Sequence, residues 1–153
     1  DILINNAGKL VNKPFEDISR DDLYSVFDVN VFGVFNLIQK LLPFFKKKSH
    51  VVNISSVGGL VGSSKFAGLT AYSSSKGALN ILTEVLAEEF SESGPKFNSL
   101  SLGSVNTPML KEAFPGYTAQ VNPDEMASFI FNFANTASSI FNGKVIPVSS
   151  INP

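Results

Sequence analysis

Apolar and polar positions along this chain alternate between two signatures. Runs that are apolar on both faces suit buried parallel strands, and apolar residues three or four apart suit helices. Asp1-Ile2-Leu3-Ile4 is the first run, and Asn5-Asn6-Ala7-Gly8 is the turn that stops it. Lys9 to Ile18 reads as loop. Ser19 is a good N-cap, and Asp21 and Asp22 follow where a helix dipole favours acids. Leu23, Val26, Phe27, Val31, Val34, Phe35 and Ile38 then predict one long amphipathic helix ending near Pro43. His50 to Ser55 predicts a second strand, and the Gly- and Ser-rich stretch Val57 to Gly68 a loop. Ala71 to about Phe90 carries Ala78, Leu79, Leu82, Val85 and Leu86 at helical spacing. Phe97 to Leu102 predicts a third strand. Pro123 and Asp124 start a further helix through about Ala134. Asn142-Gly143 turns into a last strand, Lys144 to Val148.

The order is strand, helix, strand, helix, strand, helix, strand. Such alternation predicts an α/β fold with a parallel sheet, right-handed crossovers and helices on both faces. Ligands of such sheets sit at the carboxyl ends of the strands. Asn5-Asn6, Ser55-Ser56 and Asn106-Thr107 each fall just after a strand, so they are expected to converge on one edge.

Composition narrows the reading. With 153 residues, 44% hydrophobic and 16% charged, the chain has material for one domain with a buried core. A net charge of -1 argues against nucleic acid as partner. No cysteine and a single histidine, His50, leave no basis for a thiolate or histidine metal site, and His50 is assigned no role. No apolar run is expected to span a membrane, because Pro43 and Lys46-Lys47-Lys48 close the most apolar stretch. The fourteen phenylalanines are expected to be mostly core. Phe32, Phe35, Phe44 and Phe45 spread widely around the first helix, which suggests that it also buries surface against another subunit.

Tyr72-Ser73-Ser74-Ser75-Lys76 opens the second helix and holds the candidate chemistry. Tyr72 and Lys76 are four apart and share a helix face. A free phenol, with a pKa of about 10, exchanges protons poorly near neutrality. A nearby ammonium lowers that value. A hydroxyl such as that of Ser56 can position a carbonyl. Together these groups suit proton transfer at a carbonyl or alcohol oxygen, while a hydride would have to come from a cofactor. Taken singly, each residue has a plain alternative as a helix-surface, turn or core residue.

In this order the motifs resemble those of the short-chain dehydrogenase/reductases, of the 3-oxoacyl-carrier-protein-reductase-like type. Asn5-Asn6-Ala7-Gly8 is similar to the NNAG motif after the family's fourth strand. Asn30 stands where the family carries its catalytic Asn. Ser56 aligns with the catalytic serine, and Tyr72-x-x-x-Lys76 is the YxxxK motif. Gly103-Ser104-Val105-Asn106-Thr107-Pro108 is similar to the loop around the nicotinamide, and Gly143 to Val148 to the closing strand.

The resemblance implies a Rossmann-like sheet equivalent to strands 4-5-6-7 of the family. It implies an oxidoreductase using NAD or NADP on a small-molecule carbonyl or alcohol, cytoplasmic, and a homo-oligomer of two or four subunits. Nucleic acid, membrane and metal are not among its expected partners. Tyr72 would be the general acid/base. Lys76 would lower its pKa and hold the nicotinamide ribose, Ser56 would orient the substrate oxygen, and Asn30 would hold a water of the proton relay. Asn6, Ala7 and Gly8 would line the cofactor, and Val105 and Thr107 would touch its nicotinamide end.

The sequence departs from the family's pattern at the front, where the strand and the Thr-Gly-x-x-x-Gly-x-Gly turn that hold the pyrophosphate do not occur. Either the native polypeptide is longer, or the first strand is an open edge through which this chain aggregates, swaps or associates. The rival reading is a non-catalytic remnant or interaction protein that binds no dinucleotide alone. An epimerase or dehydratase of the extended relatives fits the Asn motifs less well. Residues Met109 to Asn122 are expected to be a short covering loop or to leave the pocket open, and the 16-residue spacing from Ser56 to Tyr72 is expected to be absorbed by a loop.

Overall fold

A computed structural model describes residues 1–149. Four parallel strands lie in chain order: β1 (Ile2–Asn5), β2 (His50–Ser56), β3 (Lys96–Leu102) and β4 (Lys144–Val148). Every crossover between them contains helix, as parallel pairing requires. The register is regular: Asn5 pairs Asn53, Ser55 pairs Ser101, and Ser101 pairs Pro147. The three polar clusters therefore do emerge at one edge of the sheet.

Side chains alternate between two faces of the sheet. On one face, Val51 and Phe97 pack with Val34 and Ile38 of α2 (Gly33–Leu41) and with Leu79 and Ala87 of α3 (Thr70–Glu89). On the other, Val52, Ile54 and Leu100 pack with Ala134 of α5 (Pro123–Thr136). Helices thus cover both faces, in the predicted three-layer arrangement.

The first predicted helix differs from expectation. It starts at Arg20 after a capping box in which the Ser19 hydroxyl accepts from Asp22 N–H and the Asp22 carboxylate accepts from Ser19 N–H. The α1 segment (Arg20–Phe27) then gives way to a π-turn, Asp28–Phe32, before α2 resumes. Gly33 N–H bonds the Asp28 carbonyl five residues back. An apolar spacing that tolerates both three and four residues cannot reveal an extra residue in one turn. The wider turn carries Asn30, whose side-chain bonds all go to segments outside this helix.

The helical run Arg20–Phe44, 25 residues, is also long and apolar enough to cross a membrane by length and composition, contrary to the sequence expectation. In this fold it packs against α3 and one face of the sheet, where Val26, Asn30, Val34 and Ile38 are buried. Phe32, Phe35 and Phe44 remain exposed on it.

The segment expected as a covering loop contains α4 (Pro108–Ala113). Thr107 caps it, its Oγ1 accepting from Leu110 N–H, and Pro108 occupies the first turn. The Thr-Pro signal was present, but six residues are too few for an apolar period to show.

His50 does have a structural role. It is 1% exposed, with Nδ1 2.9 Å from the Ala134 carbonyl and Nε2 3.0 Å from Asn98 Nδ2. Since a carbonyl only accepts, Nδ1 carries the proton and Nε2 accepts from Asn98. This neutral ring joins β2, β3 and α5.

Candidate functional site

The edge strand β1 is held to its neighbour by a buried polar chain. Asn5 Nδ2 donates to Asn53 Oδ1 (2.7 Å), Asn53 Nδ2 to Thr83 Oγ1 (2.9 Å), and Thr83 Oγ1 to the Leu79 carbonyl (2.8 Å). These bonds tie β1 and β2 to α3 just below the Asn6-Ala7-Gly8 turn. Asn6 and Ala7 are exposed there, and Gly8 is half-buried.

Asn30 projects from the π-turn and is fully buried. Its Oδ1 accepts from Lys9 N–H (2.8 Å) and its Nδ2 donates to the Lys9 carbonyl (2.9 Å) and to Ser75 Oγ (2.9 Å). A buried amide is normally satisfied, and here satisfaction needs three separate chain segments. The loop after β1, the first helical run and α3 are thereby joined around one side chain.

Strand β2 ends at Ser56 and enters a tight 3-10 turn, Val57–Gly59. Gly58 N–H donates to Ser56 Oγ (3.2 Å). Gly59 lies directly on α3: a Cβ there would come within 2.7 Å of the Lys76 carbonyl carbon and of Gly77 N, both backbone atoms. Only glycine permits that approach, and the approach sets Ser56 beside the first turn of the helix. Ser55 Oγ donates to the Lys76 carbonyl (3.2 Å), a second tie between the same two elements.

Tyr72 meets Ser56 on this edge, hydroxyl to hydroxyl. Burial pushes the Tyr72 phenol above its ordinary pKa of 10, and the Ser56 hydrogen bond opposes that rise. Lys76 is 3% exposed, with Nζ donating to the Ile54 carbonyl (2.8 Å) and standing 5.7 Å from the centre of the Tyr72 ring. Burial lowers its pKa from 10.5 to about 8. The expected lowering of the phenol is not what the fold produces: burial is the largest influence on Tyr72, and the group opposing it is the Ser56 hydroxyl.

The candidate residues fall into two sets. Ser56, Tyr72, Lys76, Asn30 and Gly8 come together: Asn30 Oδ1 and Lys76 Nζ each lie 3.8 Å from where a Cβ on Gly8 would sit, and Met109 Cε lies 3.7 Å from it. Val105 and Thr107 stand on the β3–α4 loop at the same edge but are engaged locally. Val105 bridges Val121, and the Val105 carbonyl accepts from Thr107 N–H (2.7 Å). Among the described residues no hydrogen bond joins either to the Tyr72 group. On that loop Asn106 Oδ1 is buried without a partner.

A cavity of about 530 Å³ opens nearby, lined by Gly103, Tyr117, Val121, Met126, Phe129 and Val148 among others. Ser56, Tyr72 and Lys76 do not line it, so the chemistry and not this hollow marks the site. Sequence reasoning missed Ser75, Gly59 and Gly77. The serine preceding Lys76 and the Gly58-Gly59 pair were visible signals, but only the fold shows what they touch.

Residues 1–118 match the family model described as short chain dehydrogenase. A 3-oxoacyl-[acyl-carrier-protein] reductase, FabG, of Thermotoga maritima is 30% identical over 161 residues, which cover 97% of this chain and 64% of that protein. Two solved structures superpose closely. A 4-hydroxyisoleucine dehydrogenase complexed with NADH gives a TM-score of 0.84 at 28% identity, covering 97% of this chain and 66% of that one. The RhlG/NADP active-site complex of Pseudomonas aeruginosa gives 0.82 at 30%, covering 97% and 64%. The chain thus spans just under two thirds of the length of these relatives.

Proposed function

The chain belongs to the short chain dehydrogenase family, and from that premise we propose that it carries the catalytic part of an NAD(P)-dependent oxidoreductase acting on a carbonyl or alcohol of a small molecule. The observation that carries this reading is the meeting of the Ser56 hydroxyl, the Tyr72 phenol and the buried Lys76 ammonium at the carboxyl edge of the sheet.

The donor set fits the nicotinamide-ribose end of such a cofactor. One Lys76 proton goes to the Ile54 carbonyl, leaving two donors for ribose hydroxyls. Asn106 Oδ1 is an orphaned acceptor of the kind a carboxamide N–H satisfies. Asn6, Ala7 and Gly8 would line the ribose side, and Val105 and Thr107 the nicotinamide side. When bound, the dinucleotide supplies or accepts the hydride. NADH and NADP in the two similar structures support either form.

The chain's own residues do the rest. Ser56 donates a hydrogen bond to the substrate oxygen and aims it. In reduction, the Tyr72 phenol passes its proton to that oxygen as charge develops there. A phenol whose pKa is raised by burial is fully protonated near neutrality, which suits reduction. Alcohol oxidation needs the phenolate and should gain rate as pH rises. Lys76 and Asn30 border Gly8 together, and we assign them the proton's onward path to water. The exposed Phe32, Phe35 and Phe44 support assembly of this helix against a second copy.

The test is cofactor-linked absorbance at 340 nm with a panel of ketones, aldehydes and alcohols. Tyr72→Phe should lower kcat by about 100-fold or more while the fold persists. Undiminished turnover in that variant would overturn the assignment.

A further inference from the structure

Ser75 lies between Tyr72 and Lys76 and is fully buried. Its Oγ donates to the Tyr72 carbonyl (2.7 Å), a bond back to the preceding turn that serines in helices make routinely. The same oxygen accepts from Asn30 Nδ2 (2.9 Å), across 45 positions of sequence. That second bond is not routine. Only a group that donates and accepts at once can stand between an amide N–H and a carbonyl. Through it, Lys9, Asn30, Ser75 and the backbone of Tyr72 form one continuous chain of hydrogen bonds.

We propose that Ser75 is a positioning residue for the proton-transfer step. It fixes the first turn of α3 against the π-turn, so that the Tyr72 phenol stays between Ser56 and Lys76 while Asn30 keeps its amide on Lys9. The inference rests on the oxidoreductase reading above. Without the hydroxyl, Asn30 Nδ2 keeps one acceptor of its two, and nothing ties the Tyr72 carbonyl to the π-turn. The helix stays anchored elsewhere, by Ser55 on the Lys76 carbonyl and by Gly59 against Gly77. The loss should therefore show as misplacement of Tyr72 and not as unfolding. The groups facing the phenol are the Ser56 hydroxyl from β2 and the Lys76 ammonium from its own helix.

The experiment compares wild type, Ser75→Ala and Ser75→Thr by NMR titration of tyrosines labelled with ¹³C at Cζ. The Tyr72 signal is assigned by its loss in Tyr72→Phe. In Ser75→Ala the Tyr72 titration should move away from its wild-type position, and kcat should fall about 10-fold with KM within about 3-fold, as expected for lost orientation. Ser75→Thr, which keeps the hydroxyl, should restore both. A Tyr72 titration and kcat unchanged in Ser75→Ala would overturn the proposal. So would a loss in Ser75→Ala that Ser75→Thr, itself folded, leaves unrepaired. If Ser75→Ala does not fold, Ser75→Cys decides by the same two readouts, because a thiol of similar shape donates and accepts weakly. If wild type itself turns over no carbonyl or alcohol, the oxidoreductase reading fails, and the titration still decides whether Ser75 places Tyr72.

Discussion

Lys76 shapes stability between about pH 8 and 10, below the range in which the raised Tyr72 phenol opposes it. Its pKa falls from 10.5 to about 8 on folding, so between those values the unfolded chain binds a proton that the folded chain has lost. Stability linked to this group therefore rises as pH climbs from about 8 to 10.5 and is flat below 8. The shift corresponds to about 3 kcal/mol. Urea unfolding between pH 7 and about 10 should show this rise in wild type and not in Lys76→Met. His50 acts at the other end. Burial lowers its pKa below 6.5, against the bond to the Ala134 carbonyl. Below pH 6.5 the unfolded chain takes up a proton that the folded ring does not, and stability is lost as pH falls. Protonation would also turn Nε2 into a donor facing the Asn98 amide. His50→Gln should flatten the acid limb of the same unfolding measurement.

At the scale of elements, the site depends on two close contacts. One is the π-turn, where Asn30→Ala would leave Lys9 N–H and Lys9 C=O without their side-chain partners. A loss of about 1–2 kcal/mol is expected from part-buried groups left unpaired. The other is the turn after β2. Gly59→Ala drives a methyl into the backbone of α3 at Lys76 and Gly77, contacts that no side-chain rotation relieves. The cost should be about 1–3 kcal/mol, and kcat should fall because Ser56 and Tyr72 move apart. Thermal unfolding with parallel kinetics separates the two effects.

At the scale of the whole molecule, the first helical run and the turn after it leave large aromatic residues exposed to water. Phe35, 48% exposed, and Phe44, 72% exposed, stand outside the core cluster that Val34 and Ile38 join. Large exposed aromatic residues of this kind suit contact with a partner. Sedimentation velocity at micromolar concentration should find a dimer or larger species, and Phe35→Glu should shift it toward monomer. A wild-type chain that sediments only as monomer would remove the self-association part of the functional reading.

The strands, the helices over both faces and the sheet edge carrying the polar clusters were all legible in the linear pattern. Burial on two faces writes apolar runs, and burial on one face writes a helical period. Ser56, Tyr72 and Lys76 stand out in the sequence by type and spacing and Asn30 only by the family resemblance, and the fold brings the four to one edge of the sheet. What the tertiary structure alone decided are the contacts between distant segments. Nothing local around Asp28–Phe32 announces a wider turn, and the partners of its Asn30, Lys9 and Ser75, are distant in sequence. His50 reads as an ordinary residue before a strand until Asn98 and Ala134 enclose it. The direction of the Tyr72 shift likewise reversed, because a sequence shows which charges are near but not how much water is removed.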